Sequence, residues 1–217
     1  MELYKTVAGE GQATQIIDKS RFIAHVRPVK TREEADEFLS KIRNSYKDAT
    51  HNVPAFVIGD KFQLQWGSDD GEPQGTSGAP MVQMLVKEGI TNVAVVVTRY
   101  FGGIKLGTGG LVRAYTSSAK LGLEAAGICR VVEIVRMEVS VEYTYLAKIQ
   151  NIAANSLPEG AGDNADFIIE NIEYSDKVKL EIITLPECKN DVFSVLSNIT
   201  SGSAELLFEE MALREIK

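Results

Sequence analysis

Two glycine-rich turns, Gly75-Thr76-Ser77-Gly78 and Gly107-Thr108-Gly109-Gly110, each lead into a stretch of helical periodicity, with one apolar run between them. Helix amino termini carry N–H groups without intrahelical partners and a partial positive charge, so such turns suit phosphate or another anion. Thr76, Ser77 and Thr108 fit two roles there, as caps or as hydroxyls facing a ligand. Arg99-Tyr100-Phe101-Gly102-Gly103 follows the apolar run directly. Lys105 precedes the second turn, and Arg113 falls about one turn into the helix beyond it. An arginine and two aromatics at a strand end suit a phosphate contact and base stacking. In the alternative, Phe101 is core and Arg99 pairs with Asp69, Asp70 or Glu72, the acidic cluster ahead of the first turn. We expect the core for Phe101 and ligand contact for Arg99. The acidic trio suits Mg²⁺ through oxygen ligands. A solvated turn, or counter-charges for the arginines, is the commoner use of such a trio, and no metal or cofactor is expected. The spacing matches neither GxxxxGK[ST] nor GxGxxG.

Elsewhere no catalytic set emerges. His51 has no histidine or cysteine partner nearby in sequence and reads as a hydrogen-bonded structural residue. His25, the other histidine, lies within a strand pattern, so no Ser/His/Asp or Cys/His arrangement can be argued and catalytic residues are unknown. Cys129 and Cys188 lie far apart and fit no metal or redox spacing. Gln63, Gln65 and Trp66 offer a polar and aromatic strand face suited to recognition. Tyr143 and Tyr145 are expected to pack between domains.

The elements that must position these residues follow from periodicity. Gln12–Ile17 and Arg21–Val26 alternate apolar with polar and read as a hairpin around Asp18-Lys19-Ser20. Thr31 and Glu34 form a capping box for a helix to about Tyr46, with Ala35, Phe38, Leu39 and Ile42 on one face. Val53–Ile58 and Phe62–Trp66 read as a second hairpin, with Pro54 expected at a strand start or edge. A helix over Ala79–Lys87 carries Pro80 in its first turn. Val93–Val97 is continuously apolar and reads as a central strand covered on both faces. The longest helix runs from about Gly109 to Ala126 and stops at Gly127. Beyond it come a strand over Val131–Tyr143, a helix over Tyr145–Asn155 ended by Ser156-Leu157-Pro158, and a hairpin of Ala165–Tyr174 with Lys177–Leu185. A helix over Lys189–Thr200 and a strand over Ala204–Met211 complete the β-α-β-β-α-β order. The fold class is α+β, in two domains, 1–134 and 135–217, the second ferredoxin-like.

The chain has 217 residues and a net charge of −7. Residues 1–135 carry 16 basic against 15 acidic side chains, and residues 136–217 carry 7 against 15. The acidity therefore belongs to the second part, and a basic patch on the first would not be swamped by it. No run of 18 apolar residues suggests a membrane span, and the amino-terminal residues have no basic head or apolar signal core. A cytoplasmic, reducing setting is the simplest expectation.

Ser68-Asp69-Asp70-Gly71-Glu72-Pro73, then Gly75-Thr76-Ser77-Gly78-Ala79-Pro80, then the run from Val97 through Arg99, Lys105 and Gly107 to Arg113-Ala114-Tyr115 resemble the signature of the IMPACT (YigZ-like) family, bacterial two-domain type. The resemblance extends to Ser20-Arg21-Phe22-Ile23 and His51 and covers most of residues 1–127. It implies a first domain with the β-α-β fold shared by a small-subunit ribosomal protein and domain IV of elongation factor G. It implies a second domain similar to domain V of that factor. Eukaryotic relatives act in translational control by competing for the activator of an initiation-factor kinase, through an additional amino-terminal domain with no counterpart in this sequence. One departure matters: Ala79 stands where the family pattern usually has a basic residue, which removes a charge-assisted contact from the first turn and gives more weight to the second.

The resemblance and the basic, glycine-rich surface imply a translation-related regulator that binds RNA or the ribosome. The site would comprise Arg99, Tyr100, Gly102, Gly103, Lys105, Gly107, Thr108, Gly109, Gly110 and Arg113, with Gly75, Thr76, Ser77 and Gly78. Two alternatives stay open: an enzyme acting on a phosphorylated small molecule or nucleotide, and a protein-interaction module without RNA. The first rests on small-molecule kinases that share the broad fold and lead a glycine-serine loop into a helix. A protein partner in translational control is also compatible with the resemblance. Whether any turnover occurs is open, with no enzyme favoured.

Overall fold

The computed structural model describes residues 2–155 and 166–216. The chain divides within one long strand into Glu2–Val131 with Glu215–Lys217, and Val132–Arg214. In the first unit the elements are β1 Glu2–Val7, β2 Gly11–Ile17, β3 Ser20–Pro28, α1 Arg32–Ser45, β4 His51–Ile58, β5 Leu64–Gly67, α2 Gly78–Lys87, β6 Val93–Tyr100 and α3 Gly107–Ala126. The second unit holds most of β7 Ile128–Val141, then α4 Tyr143–Asn155, β8 Phe167–Tyr174, β9 Val178–Thr184, α5 Lys189–Ile199 and β10 Glu205–Ile216. The architecture is α+β, as the sequence implies.

The first unit is an antiparallel sheet in the order β2-β3-β6-β4-β5. Its centre is β6, and period-two alternation sends the valines to opposite faces. Val93, Val95 and Val97 pack with α2 and α3 residues such as Met81, Leu85, Tyr115 and Leu123. Ala94 and Val96 pack with Phe38, Leu39 and Ile42 of α1. Burial on both sides is why the run carries no polar residue before Thr98; each buried valine contributes on the order of 1.5 kcal/mol. Asp18 and Lys19 both take positive φ, 45° and 65°, between the paired residues Ile17 and Ser20. A two-residue turn of that hand matches the twist of its strands. Thr31 caps α1 by accepting from Glu34 N at 3.3 Å, and the Glu34 carboxylate accepts from Lys30 N at 2.6 Å.

Pro54 departs from the expected strand start or edge. It is buried inside β4, opposite Val96 of β6. In an antiparallel strand a residue's N and C=O point the same way. The Pro54 carbonyl accepts from Ser68 N, just past the last pair of the β4–β5 ladder at Ala55–Gly67. Its missing N–H therefore faces the side that β5 has already left, and no rung with β6 is lost. Close packing explains Gly122 on α3: a Cβ there would lie 2.9 Å from Ala24 Cβ and Val26 Cγ2 of β3.

In the second unit β7, α4, β8, β9, α5 and β10 follow the split βαβ order; the sheet is five-stranded, in the order β1-β7-β9-β8, with β10 also paired to β7. Met137, Val139 and Val141 of β7 meet Leu180 and Ile182 of β9, Ile149 of α4, and Val192 and Leu196 of α5 in a separate core. Tyr145 packs on that core. Tyr143 is half exposed, donates to the Ser175 carbonyl at 2.6 Å and lies against Tyr174. Both tyrosines make these contacts within their own unit. Ser156-Leu157-Pro158 and Ala165 lie outside the described residues. Among the described residues no helix is long and apolar enough to cross a membrane.

Candidate functional site

The two glycine turns look alike in sequence and differ in structure. At the first, the Asp69 carboxylate occupies the amino terminus of α2. Its Oδ1 accepts from Ser77 N at 3.0 Å, Gly78 N at 3.0 Å and Ser77 Oγ at 2.7 Å, and its Oδ2 accepts from Gly75 N at 2.7 Å. Partial burial raises the Asp69 pKa, and these donors outweigh it to leave a net depression. Thr76 is buried and donates to the Pro73 carbonyl at 2.6 Å. The anion for this helix is therefore part of the chain, and Gly75, Thr76, Ser77 and Gly78 are taken up internally.

The acidic trio has three separate tasks. Asp69 caps α2. Asp70 accepts from Asn52 N at 2.6 Å and from Arg43 Nη2 at 3.2 Å. Its carbonyl lies 2.7 Å from His51 Nδ1, which makes that nitrogen the protonated one and turns Nε2 towards Glu72 at 3.8 Å. Glu72 is buried, and its Oε1 accepts from Arg99 Nη1 at 2.5 Å and Tyr115 Oη at 2.7 Å. Burial and the Glu72 carboxylate push the Tyr115 phenol far up, so it stays a donor. Among the described residues no group of three or more histidines, cysteines and carboxylates is arranged to hold a metal ion.

Arg99 and Phe101 exchange their expected places. Arg99 is 5% exposed and committed to Glu72, whereas Phe101 is 47% exposed. The physical reason is Glu72 itself: a buried arginine needs a carboxylate in the same dry place, and the loop before α2 delivers one. The Arg99 guanidinium lies over the rings of Phe22 and Phe101, 5.4 and 5.5 Å from their centroids. His25 is a core residue of β3, its pKa drawn down to about 4 by burial, with the ring tilted on Tyr46. Trp66, read from sequence as an exposed face, is half-buried and stacks on Phe56, with Arg32 against both rings.

The second turn is open. Leu106, the residue before α3, makes no side-chain cap, and the first turn of the helix has no acidic residue. Gly103 and Gly107 hold φ of 87° and 70°, with nothing within 4 Å of where a Cβ would stand. Gly102 is different: a Cβ there would lie 2.0 Å from the Lys19 carbonyl carbon, so only glycine lets this loop meet the β2–β3 turn. Gly102 N donates to Ser20 Oγ at 3.1 Å and Phe101 N to Thr50 Oγ1 at 3.0 Å. Lys105, Thr108, Gly109 and Arg113 are exposed, and Gly110 is half-buried. The Arg113 guanidinium reaches back along the helix to Gly109, with Nη1 3.6 Å from its Cβ position.

Tyr100 donates to Asp48 at 3.0 Å, and its ring lies under Arg21, 4.3 Å from the guanidinium. Arg21 faces Tyr100 in the β3–β6 register. Sequence reasoning did not weigh Arg21 or Lys19 as site residues. The signal was the alternation of β3, which sends Arg21 outward next to buried Phe22, but the strand-end partner is visible only once β3 and β6 are paired. None of Lys19, Arg21, Lys105 and Arg113 makes an ion pair among the described residues.

An antiparallel sheet with this signature loop defines a known class of domain: residues 18–123 match the Impact N-terminal domain. The chain is 39% identical over 219 residues to IMPACT family member YvyE of Bacillus subtilis (strain 168), spanning 99% of this chain and 97% of that one. It is 34% identical over 210 residues to IMPACT family member YigZ of Escherichia coli (strain K12), spanning 95% and 98%. A crystal structure described as that of a hypothetical protein superposes with a TM-score of 0.56 at 32% identity, covering 95% of this chain and 97% of its own. The chain belongs to the IMPACT family.

Proposed function

We propose that this protein is a translation-related regulator that binds RNA or the ribosome through the surface around the amino terminus of α3. One observation carries the reading: α2 begins on its own carboxylate, whereas α3 begins uncapped, free of acidic residues, and beside exposed Lys105 and Arg113. Unpaired N–H groups and two unopposed cations attract phosphate. Lys19 and Arg21, on the turn that Gly102 abuts, extend the same basic surface. Arg99 supports the surface from below and is not a phosphate ligand. The tandem of two α+β units, compared above with domains of elongation factor G, supports a ribosomal target.

Binding to labelled RNA at ~50 mM salt and co-sedimentation with ribosomes, with and without nuclease, test this. An Arg21→Ala, Lys105→Ala, Arg113→Ala variant should weaken RNA binding, and the slope of log K against log[salt] should become shallower by about 2, near 0.7 per phosphate contact on a single strand. Undetectable RNA affinity in the parent protein, or an unchanged slope in the variant, would sink the proposal.

A further inference from the structure

We infer that Phe101 is a stacking platform for an unpaired base, so that the ligand of the α3 surface is single-stranded RNA in preference to duplex; this rests on the proposal that the surface binds RNA. Three observations converge on the ring. One face lies under the buried Arg99 guanidinium, which Glu72 and the Phe22 ring hold in place. Nearly half of the side chain nevertheless remains exposed, with exposed Ile104 three residues on. The backbone on either side is fixed, by Phe101 N on Thr50 Oγ1, Gly102 N on Ser20 Oγ, and the close approach of Gly102 to Lys19.

The ring is large and apolar, fixed at its root and open outward. It is a good stacking partner, because little conformational freedom is lost when a base covers it. The donors of Gly107–Gly110, with Lys105 and Arg113, follow Phe101 within a dozen residues and are the groups proposed to take the phosphates beside a base stacked there. Stacked bases in a duplex are already covered, so only an unpaired base can use the ring.

The test uses the full chain, a fluorescent ten-nucleotide oligoadenylate, a ten-base-pair RNA duplex, and Phe101→Leu beside Phe101→Trp. Both variants keep an apolar side chain against Arg99 at a half-exposed position, and thermal melts matching the parent's verify that the fold is retained. Phe101→Leu should weaken oligoadenylate binding about 5- to 150-fold, the range expected for one stacked base. Its salt slope should match the parent's, duplex binding should stay the same, and Phe101→Trp should restore affinity. Equal oligoadenylate affinity in parent and Phe101→Leu overturns the platform and leaves RNA binding intact. Tighter binding of duplex than of single strand by the parent does the same. Ribosome co-sedimentation that depends on Phe101, survives nuclease and is not matched by any loss of oligoadenylate affinity would assign the ring to a protein contact instead. If the parent binds neither RNA, the underlying proposal fails as well.

Discussion

Glu72 has a single oxygen that accepts from both Arg99 and Tyr115 in a place almost without water. Removing one member of such a group leaves the other stranded, and the cost of a stranded buried charge exceeds the net worth of the pair. Arg99 has its Nε buried without a hydrogen-bond partner, and beyond Glu72 its only side-chain hydrogen bond among the described residues is a long one from Nη2 to Ser20 Oγ at 3.5 Å. Glu72→Met should therefore cost about 3–5 kcal/mol, measured by urea unfolding at neutral pH. The Glu72→Met, Arg99→Met double variant should recover much of that loss, because it removes the charge along with its partner. If the double variant is no more stable than the single one, the ion pair is not what holds the loop. The pairing also shows why the two most informative residues were misplaced from sequence. Glu72 lies 27 positions before Arg99. Nothing in local composition says that this carboxylate, rather than Asp69 or Asp70, folds into the sheet end. With the arginine drawn inward, the neighbouring phenylalanine points out.

At the scale of elements, the two helices that follow glycine turns divide the work. α2 opens on Asp69, which replaces an external anion with an internal one and orders the loop that carries Glu72. A capping side chain is usually worth about 1 kcal/mol. Asp69 takes four donors at once, so Asp69→Ala should cost on the order of 2 kcal/mol at pH 7. The sign of the pH dependence follows from its depressed pKa. This stabilisation is fully present above the carboxylate's unfolded value and fades as pH falls through the lower, folded one. The gap between parent and variant should thus close in acid and persist from pH 6 to 8. Added phosphate should stabilise Asp69→Ala more than the parent in thermal melts, since the vacated donors would then accept a free anion. Equal responses to phosphate would mean that the loop collapses once the carboxylate is gone. Patterns confined to one element, such as the valines of β6 and the Thr31–Glu34 cap of α1, were legible in the sequence. The occupation of the α2 amino terminus was not, because it depends on a turn with Asp70 and Gly71 both at positive φ. Pro54 was misjudged for a related reason: the tolerance of a proline depends on where the neighbouring strand ends.

At the scale of the whole molecule, two separate cores mean two sources of stability. The first unit folds around β6, and the second around Met137, Val139, Leu180, Ile182 and Leu196, with β7 carrying the chain from one to the other. In the sequence the order of elements changes after Gly127, and the charge changes from near balance in the first part to a strong acidic excess in the second. The chain offers a direct way to follow the units apart, since Trp66 is its one tryptophan and stacks on Phe56 in the first core. Leu196→Ala, at a site with no solvent exposure in the second core, should cost about 2–5 kcal/mol there. On heating, the circular-dichroism signal of that variant should begin to fall earlier, while Trp66 fluorescence should change at the parent's temperature. RNA affinity, proposed for the α3 surface of the first unit, should be unaffected at temperatures below the first transition. Fluorescence and circular dichroism moving together by the same amount would instead show that β7 couples the cores into one cooperative unit. In that case a defect anywhere in the acidic half would be felt at the glycine loop, and the two units would have to be treated as a single binding body.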